Sequence, residues 1–447
     1  MLKELLMLEI MELFESRDWR TLKEFFAEWA AQDIADFLDS VEGNEKVIIF
    51  RILPRDLAAE VFSEMKSSDQ KTILRQMSNE HIRDIFLELT PDDRTDVFEE
   101  LPARVTKRLL NLLPLEERKE AMKLLGYPED SVGRLMTPDF VAIRPYWTVQ
   151  QSIDHIRKFG RDAETVDTVY VVDEKWHLID DIYLHSLILA GLTEKIENLM
   201  DREYHSVHAP EDQEEAVKMM KKYNLNVLPV VDSDNILLGV VTVDDVIDVY
   251  EDEVTEDIQK GASVIPFEVN YTTASAFSLF RKRIVWLSLL TFAGFLSSNV
   301  ISAFQKTLGE IIALAFFIPV LIGTGGNTGT QSATLIIRAL VTGDLTPKRW
   351  FNVIKKELVV GMLLGIALGI ILFIWSYSWK GQMMLSIVIG SSAVFIAIWA
   401  NLVGSLLPIV LRRFHLDPAV VSSPLISTVM DASGLFIYFS IAMLLLL

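Results

Sequence analysis

A single carboxylate interrupts the last apolar stretch of the chain. Asp431 stands inside residues 420–447, a segment that is almost wholly apolar and long enough to cross a bilayer. At helical rise it lies roughly 17 Å into that segment, close to the midplane of a membrane. A charged side chain at that depth costs at least ~2.5–3.5 kcal/mol, and such residues usually mark a transport path. The pattern therefore predicts a functional acid inside a membrane.

Polar residues recur around this acid and in two earlier apolar segments. Ser423, Ser427, Asp431 and Gly434 follow at helical spacing, so one face of their helix is polar. The stretch PVLIGTGGNTGTQSATLIIRAL (319–340) is explained in part by close helix packing, but its amides and hydroxyls exceed what packing needs. We expect a loosened helix there, with carbonyls exposed to a water-filled cavity. The predicted pore-lining residues are Ser423, Ser427, Gly434, Asn327, Gln331 and Asn401.

These groups favour a hydrated Mg²⁺ ion as the species that moves. Mg²⁺ prefers oxygen ligands, dehydrates reluctantly and usually keeps several waters. A carboxylate with neighbouring hydroxyls and carbonyls suits such an ion better than a dry cage would. No buried Lys or Arg is evident in the sequence as a partner for Asp431. The seven His are scattered without an HExxH motif, which argues against a zinc site.

An acidic stripe before the membrane segments is a second candidate site. One face of a predicted helix carries Asp245, Asp248, Asp252 and Glu256, with Glu253 and Asp257 beside it. Like charges at these spacings destabilise a helix unless cations compensate for them. Two interpretations stay open at this point: a solvated acidic face, or a cation-sensitive switch between a sensor and the membrane.

The charge distribution separates a soluble half from a membrane half. Residues 1–270 hold 57 acidic and 30 basic side chains, a net charge of −27, whereas residues 271–447 hold 5 acidic and 12 basic ones, a net charge of +7. The acidic balance argues against nucleic acid as a partner. The stretch MLKELLMLEIMELFE (1–15) predicts an acidic amphipathic helix rather than a signal peptide, since it lacks a basic n-region.

Five apolar segments are predicted to span the membrane, at about 284–304, 311–339, 358–377, 385–411 and 420–447. The soluble half is expected in the cytoplasm, and the positive-inside rule agrees, since only Lys306 and Lys380 then fall outside. Five spans place the C-terminus outside. The basic residues on the cytoplasmic flanks are Arg281, Lys282, Arg283, Arg338, Lys348, Arg349, Lys355, Lys356, Arg412 and Arg413.

The first part of the soluble half carries an internal repeat of about twelve residues between Leu53 and Leu125. Segments such as SNEHIRDIFLEL and TPDDRTDVFEEL open with Ser, Thr or Pro and close on apolar residues, which predicts short capped helices. Helices this short cannot bury their apolar faces alone. They are therefore expected to stack into an all-α solenoid.

Two copies of a strand, helix, strand, turn, strand, helix pattern follow, and the second contains LNVLPVVDSDNILLGVVTVDDVI (225–247). This pattern resembles a tandem pair of CBS domains, which are α/β regulatory modules that often bind adenine nucleotides such as ATP. The resemblance places Thr242 and Asp245 where family members contact a ribose. The first copy has Tyr183 and Ser186 there, with Asp180 in place of the usual Gly.

Together the solenoid, the CBS pair, the acidic helix and the stretches PVLIGTGGNTGTQSATLIIRAL and PLISTVMDASG resemble the MgtE family of magnesium channels. The resemblance covers the whole chain. It implies a homodimer in a bacterial inner membrane, with a pore on the two-fold axis and Asp431 as the pore aspartate. The implied domains are a helical solenoid at 1–130, CBS domains at 131–195 and 196–250, an acidic connecting helix at 251–280 and a five-helix membrane domain at 281–447.

The same resemblance implies cytosolic Mg²⁺ sites that hold the pore shut. Lys221 and Asn224 stand near positions where the family has further ligands, so one site is expected to be weak or missing. The implied cytosolic ligands are Glu60, Asp92 and Asp96 in the solenoid, and Glu214, Asp245, Asp248, Glu253, Glu256 and Asp257 in the second CBS domain and connecting helix.

Three functions compete on these observations. The first is a Mg²⁺-selective channel for uptake, with Mg²⁺ as both substrate and regulator. The second is a proton-coupled divalent-cation carrier in which Asp431 titrates and the CBS pair senses nucleotide. The third is a membrane-anchored sensor without transport, which the polar residues inside the membrane disfavour. An enzyme is not expected, because no nucleophile–base constellation is visible.

Overall fold

The computed structural model describes residues 10, 12–14, 16–41, 44–266, 274–341, 345, 350–414, 417 and 423–446. Most of the predicted N-terminal helix (1–15), and Lys348 and Arg349 of the predicted cytoplasmic flanks, lie outside these residues. The chain divides into two compact units, Met1–Glu251 and Asp252–Leu447.

The first unit begins with the predicted solenoid of short helices. Each repeat forms one helix, and the turns follow the sequence signals: Pro54, Pro102 and Pro114 stand just before a helix, and Ser78 accepts a hydrogen bond from the backbone N–H of His81. The helices are Trp19–Phe26, Ala31–Ser40, Asn44–Ile52, Arg55–Ser63, Ser67–Gln76, Asn79–Glu88, Pro91–Glu100, Ala103–Leu110 and Leu115–Leu124.

A file of aromatic rings joins successive layers of the solenoid. The ring centroids of Phe50 and Phe62 lie 6.1 Å apart, those of Phe62 and Phe86 lie 6.0 Å apart, and those of Phe86 and Phe98 lie 5.2 Å apart. All four side chains are buried. Because each short helix contributes its apolar face to this shared core, the repeat is stable only as a stack.

The CBS pair has the predicted order of elements in both copies. In each three-stranded sheet the first strand pairs parallel to the second and the second antiparallel to the third. The strands are Ala142–Ile143, Thr168–Val172 and Leu178–Tyr183, then Val207–His208, Val227–Val231 and Leu237–Thr242. The helices are Val132–Leu135, Val149–Phe159, Leu184–Leu189 and Gln213–Tyr223, with a 3₁₀ turn at Ile196–Asn198.

The connecting helix, Val243–Gly261, starts from the last strand of the second CBS domain. Its predicted continuation to Gly261 is confirmed, and it carries the whole acidic stripe. It ends there rather than near residue 280: Ser263 has a left-handed backbone conformation (φ 59°), and Ala276 begins the next described helix.

The second unit contains five helices that are long and apolar enough to cross a membrane, as predicted. We number them span 1 to span 5. Their bounds are Ala276–Ala303, Ile312–Leu340, Trp350–Lys380, Met383–Arg413 and Ser423–Leu446. Span 2 consists of a 3₁₀ segment, Ile312–Phe317, followed by an α-helix, Ile318–Val341, and a short helix, Gln305–Glu310, precedes it.

Glycines bring spans 2, 3 and 4 into close contact. A Cβ on Gly365 would stand 2.9 Å from Val394 Cα, and a Cβ on Gly369 would stand 2.7 Å from the carbonyl oxygen of Gly390. A Cβ on Gly404 would collide with the carbonyl oxygen of Gly329. Spans this close exclude lipid from between them and can share polar groups. Span 1 differs, since none of its described residues is buried.

Candidate functional site

Asp431 lies in an unbroken helix, eight residues after the first residue of span 5. That is roughly 12 Å along the helix axis, at membrane depth. The side chain is half-buried, and within the described part of the chain no side chain or backbone N–H bonds to its carboxylate. An acid at this depth without a protein partner is suited to attract a cation.

The glycine-rich stretch of span 2 packs beside the helix that carries Asp431. A Cβ on Gly326 would stand 3.3 Å from Ser427 Oγ, and a Cβ on Gly329 would stand 2.8 Å from Ile426 Cγ2. Glycine at these positions therefore allows the two helices to touch. It also places the Ser427 hydroxyl, one turn before Asp431, directly against span 2.

The expectation of a loosened helix in this stretch is wrong. Residues Ile318–Val341 form a regular α-helix through all the glycines, and the irregular 3₁₀ turn comes earlier, at Ile312–Phe317. The reason is that the glycines are used for close packing, so the helix keeps its own backbone hydrogen bonds.

Span 2 presents polar residues to the outside of the chain. Gly323, Asn327 and Gln331 are spaced by four residues and all three are exposed, and nothing lies within 4 Å of a Cβ placed on Gly323. A polar helix face at membrane depth is stable only against protein or water. Asn327 and Gln331 thus remain candidates for the wall of an aqueous path.

Asn401 does not share that face. Asn401 is 2% exposed, and a Cβ on Gly361 of span 3 would stand 3.2 Å from the Cβ of Asn401. Asn401 Nδ2 donates a hydrogen bond of 3.4 Å to the carbonyl oxygen of Glu357. The structure thus corrects the prediction that Asn401 lines the pore, because close packing of spans 3 and 4 buries it. Gly434 is also buried, against Ile322 and Ile396.

Acidic residues from the solenoid and both CBS domains influence one another in the first unit. Asp92 is only 7% exposed and its Oδ1 has no hydrogen-bond partner among the described residues. Burial raises the pKa of Asp92. Burial, followed by the charge of Asp92, raises the pKa of Asp245 to about 8 and that of Glu164 to about 7. A bound cation would stabilise the charged form of these acids and reduce the repulsion between them.

Asp245 also has a structural role. Thr242 Oγ1 donates a hydrogen bond of 2.6 Å to Asp245 Oδ2, which closes the N-terminal turn of the connecting helix. The two residues predicted to contact a ribose therefore bond to each other. In the first CBS domain the Asp180 side chain is fully buried and accepts hydrogen bonds from the backbone N–H groups of Asp181 and Arg202.

The other predicted cytosolic ligands are more dispersed. Glu60, Asp96 and Asp248 are exposed, and Glu253 and Asp257 are half-buried on the connecting helix. Glu214 pairs with Lys218 at 2.7 Å, and Glu256 pairs with Lys260 at 2.8 Å. Among the described residues no group of three or more His, Asp or Glu is close enough to hold a metal ion. The structure thus brings together Asp92 and Asp245 but does not assemble the full predicted set.

Sequence reasoning missed three groups that the structure singles out: Glu164, the Lys260–Asp417 ion pair, and Glu357. Glu357 carried a usable signal. Glu357, Gly361, Gly365 and Gly369 follow one another at intervals of four residues. Glu357 therefore lies on the helix face that packs against span 4. The other two depend on loops whose course the sequence does not specify.

Family models match three parts of the chain. Residues 318–441 match the family model described as a divalent cation transporter, MgtE, residues 29–130 match the MgtE intracellular N domain, and residues 196–252 match the CBS domain. The chain is 35% identical to the "cytosolic domain of the Mg2+ channel MgtE in complex with ATP", with a TM-score of 0.53 over 54% of this chain and 99% of that one.

Curated relatives match over nearly the full length. The chain is 41% identical to the magnesium transporter MgtE of Thermus thermophilus, over 100% of this chain and 99% of the relative. It is 31% identical to the magnesium transporter MgtE of Bacillus subtilis, over 92% of this chain and 93% of the relative. Because this identity extends over nearly the full length of both sequences, the chain belongs to the MgtE family.

Proposed function

We propose that the protein is a Mg²⁺-selective channel for magnesium uptake that cytosolic Mg²⁺ closes. The observation that carries the proposal is Asp431, a carboxylate at membrane depth with no partner in the described part of the chain, on a helix that packs along a polar, glycine-rich neighbour. One carboxylate can attract a hydrated divalent ion without stripping its water. The relatives named above as magnesium transporters support Mg²⁺ as the ion.

The conducting form is proposed to be a homodimer in a bacterial inner membrane. Asn327 and Gln331 are polar and exposed on span 2, and lipid would leave their amides unsatisfied. Span 1 buries none of its described residues within one chain. A second copy would enclose the polar face around an aqueous path that each Asp431 reaches. The soluble domains are proposed to lie in the cytosol, and the C-terminus, which follows five spans, is proposed to lie outside.

The proposed closing signal is Mg²⁺ bound between the acids of the soluble half. Asp92 is buried and the pKa of Asp245 is raised by burial and by Asp92, so an apo arrangement of these groups is electrostatically strained. A divalent cation would remove this repulsion and favour the arrangement in which the acids are close. Asp96, Asp248, Glu253, Glu256 and Asp257 would add ligands as the acidic parts approach, with Glu60 and Glu214 at the margin.

An adenine nucleotide is proposed as a second ligand of the CBS pair. The support is the solved relative, whose cytosolic domain is in complex with ATP. The Thr242–Asp245 pair at the start of the connecting helix is the proposed ribose contact. Nucleotide binding would then reach the helix that leads towards span 1.

Current through the reconstituted protein tests the main proposal. For a Mg²⁺ channel the reversal potential follows the Mg²⁺ gradient alone, since one divalent charge crossing 100 mV gains about 4.6 kcal/mol and needs no coupled proton. A reversal potential that shifts with a pH gradient at fixed Mg²⁺ would instead identify a proton-coupled carrier.

A further inference from the structure

Glu357, on span 3, is a carboxylate that the proposed ion path and the cytosolic sites do not use. Its Oε2 lies 3.0 Å from Ser332 Oγ of span 2, and the hydroxyl is the donor. In the part of the chain that the structure describes, Glu357 makes no ion pair. A carboxylate held by a neutral hydroxyl inside a helix bundle is costly unless it has a specific role.

The packing of span 3 places this carboxylate against span 4. Glu357, Gly361, Gly365 and Gly369 follow in steps of four and share one helix face. A Cβ on Gly361 would stand 3.0 Å from Ile398 Cα and 3.1 Å from Asn401 Nδ2. Glu357 lies one helical turn before Gly361, and therefore next to the same stretch of span 4.

The packing of span 2 places the donor at the same point. Gly329 and Gly404 touch backbone to backbone, and Ser332 comes one helical turn after Gly329. Ser332 Oγ also lies 3.2 Å from the carbonyl oxygen of Asn401, and Asn401 Nδ2 lies 3.4 Å from the carbonyl oxygen of Glu357. Spans 2, 3 and 4 thus meet in a closed set of polar contacts, which we call the three-span junction: Ser332, Glu357 and Asn401.

We propose that Glu357 is a positioning residue for ion conduction, which sets the rotation of span 2 by accepting the Ser332 hydrogen bond. Gln331 is the neighbour of Ser332 and faces out of the chain, as Asn327 does one turn earlier. Successive residues of a helix differ by about 100° in direction, so the junction that fixes Ser332 also fixes Gln331. The inference rests on the proposed function, because it assigns Glu357 a role in the same ion path.

The carboxylate outcompetes the alternative acceptor at this site. The Ser332 hydroxyl has one hydrogen and two acceptors in reach, Glu357 Oε2 and the carbonyl oxygen of Asn401. A hydrogen bond to a carboxylate is roughly twice as strong as one to a neutral carbonyl. Without Glu357 the hydroxyl turns to Asn401, and span 2 loses its bond to span 3.

Unitary Mg²⁺ conductance of reconstituted full-length variants tests this role. Glu357→Leu and Ser332→Ala each remove the bond, Glu357→Gln keeps an acceptor but removes the charge, and Ser405→Ala is the control. Ser405 is fully buried on span 4, and among the described residues its hydroxyl bonds only within its own helix, to the carbonyl oxygen of Leu402 at 3.1 Å. The melting temperature and the closing Mg²⁺ concentration are measured on the same samples.

The expected result is a fall in unitary conductance of between about two-fold and ten-fold in Glu357→Leu and Ser332→Ala, the range that one hydrogen bond of ordinary net strength gives. The double variant falls no further. Glu357→Gln, whose neutral acceptor is no stronger than the Asn401 carbonyl, falls less than Glu357→Leu. Ser405→Ala stays within about two-fold of the parent. Parent-like unitary conductance in Glu357→Leu, even with a lower melting temperature, would overturn the role. So would a Glu357→Gln variant as impaired as Glu357→Leu, because a hydrogen-bond acceptor at this position would then do nothing for conduction.

Failure of the inference and failure of the proposed function give different records. If the parent itself carries no Mg²⁺ current, the proposed function fails. If the parent conducts and the junction variants conduct equally well, only the inference about Glu357 fails.

Discussion

Lys260 and Asp417 form an ion pair at 2.7 Å, which joins the last turn of the connecting helix to the segment between spans 4 and 5. The same ammonium group lies 2.8 Å from Glu256. Burial alone would lower the pKa of Lys260, but the two carboxylates outweigh it and the pKa is raised. The connecting helix thus carries a fixed cation at an end where acidic groups from two segments meet.

Lys260→Met is expected to make the channel harder to close. Without the ammonium group, Glu256 and Asp417 repel each other, so more cytosolic Mg²⁺ is needed to hold the connecting helix in place. We expect the closing Mg²⁺ concentration in patch-clamp records to rise by about two-fold to five-fold, as for one partly exposed ion pair. Lys195→Met, which removes an exposed pair with Glu197, is the control. If the double variant Lys260→Asp with Asp417→Lys restores the closing Mg²⁺ concentration of the parent, the ion pair is supported. If it does not, the ion pair has no role in closing.

Asp92→Asn tests the cytosolic sensor. The substitution keeps the shape of the buried side chain but removes a charge that, after burial, raises the pKa of Asp245. Loss of a Mg²⁺ ligand is expected to raise the closing Mg²⁺ concentration about ten-fold, while the unitary conductance stays unchanged. Asp33→Asn, at an exposed position in the solenoid, is the control. Closure over the same Mg²⁺ range as the parent would show that the acids around Asp92 do not sense Mg²⁺.

The stability of the first CBS domain is expected to depend on pH through the titration of Asp181. Burial, then the charges of Asp180 and Asp201, raises the pKa of Asp181 to about 6. A raised pKa means that the folded domain binds this proton more tightly than the unfolded chain does. The stabilisation is therefore complete below about pH 4 and is lost as the pH rises through about 6.

Asp181→Asn should remove this dependence. At pH 7 the variant is expected to be more stable than the parent, by on the order of 1 kcal/mol after allowance for the solvent exposure of the side chain. Hydrogen exchange of strands Thr168–Val172 and Leu178–Tyr183 in the intact protein measures it. The gain should vanish towards pH 4, and a gain that is constant with pH, or a loss at pH 7, would contradict the assignment.

Gly404→Ala tests the contact between spans 2 and 4. A Cβ there collides with the carbonyl oxygen of Gly329, which is backbone and cannot turn away. We expect a loss of stability of about 1–3 kcal/mol, as for an overpacked core, seen as a lower melting temperature in detergent. Gly294→Ala is the matched control, since nothing lies within 4 Å of a Cβ at Gly294. Equal melting temperatures of the two variants would show that the contact is looser than described.

Periodic features of the sequence predicted most of the fold. The twelve-residue repeat, the paired CBS pattern and the five apolar segments each became the expected elements, because burial of apolar faces decides them. The end of the connecting helix was predicted too late, although Gly261 and Pro266 are both helix-stop signals. Clusters of glycine inside a helix were read as a weak point, although the structure uses them for packing.

The candidate sites were predictable only in part. Asp431 stood out because charge is rare in apolar segments, and Asp92 and Asp245 followed from a family resemblance. The glycines that follow Glu357 in steps of four indicate which helix face it lies on, but not its partner. The environments of Glu357 and Glu164 come from elements distant in sequence, such as Ser332 for Glu357 and Asp92 for Glu164. Composition and periodicity do not predict such contacts between residues that are distant in sequence.

The main proposal requires the negative charge of Asp431 for Mg²⁺ to pass through the membrane. Asp431→Asn keeps the size of the side chain and the helix and removes only the charge. Single-channel recording of the reconstituted variant, at a cytosolic Mg²⁺ concentration low enough to keep the parent open, tests this most directly. We expect the Mg²⁺ current to fall at least 100-fold, an effect of about 2.7 kcal/mol, comparable to the cost of a charge at that depth. A Mg²⁺ current equal to that of the parent, from protein that is folded and membrane-inserted, would contradict it.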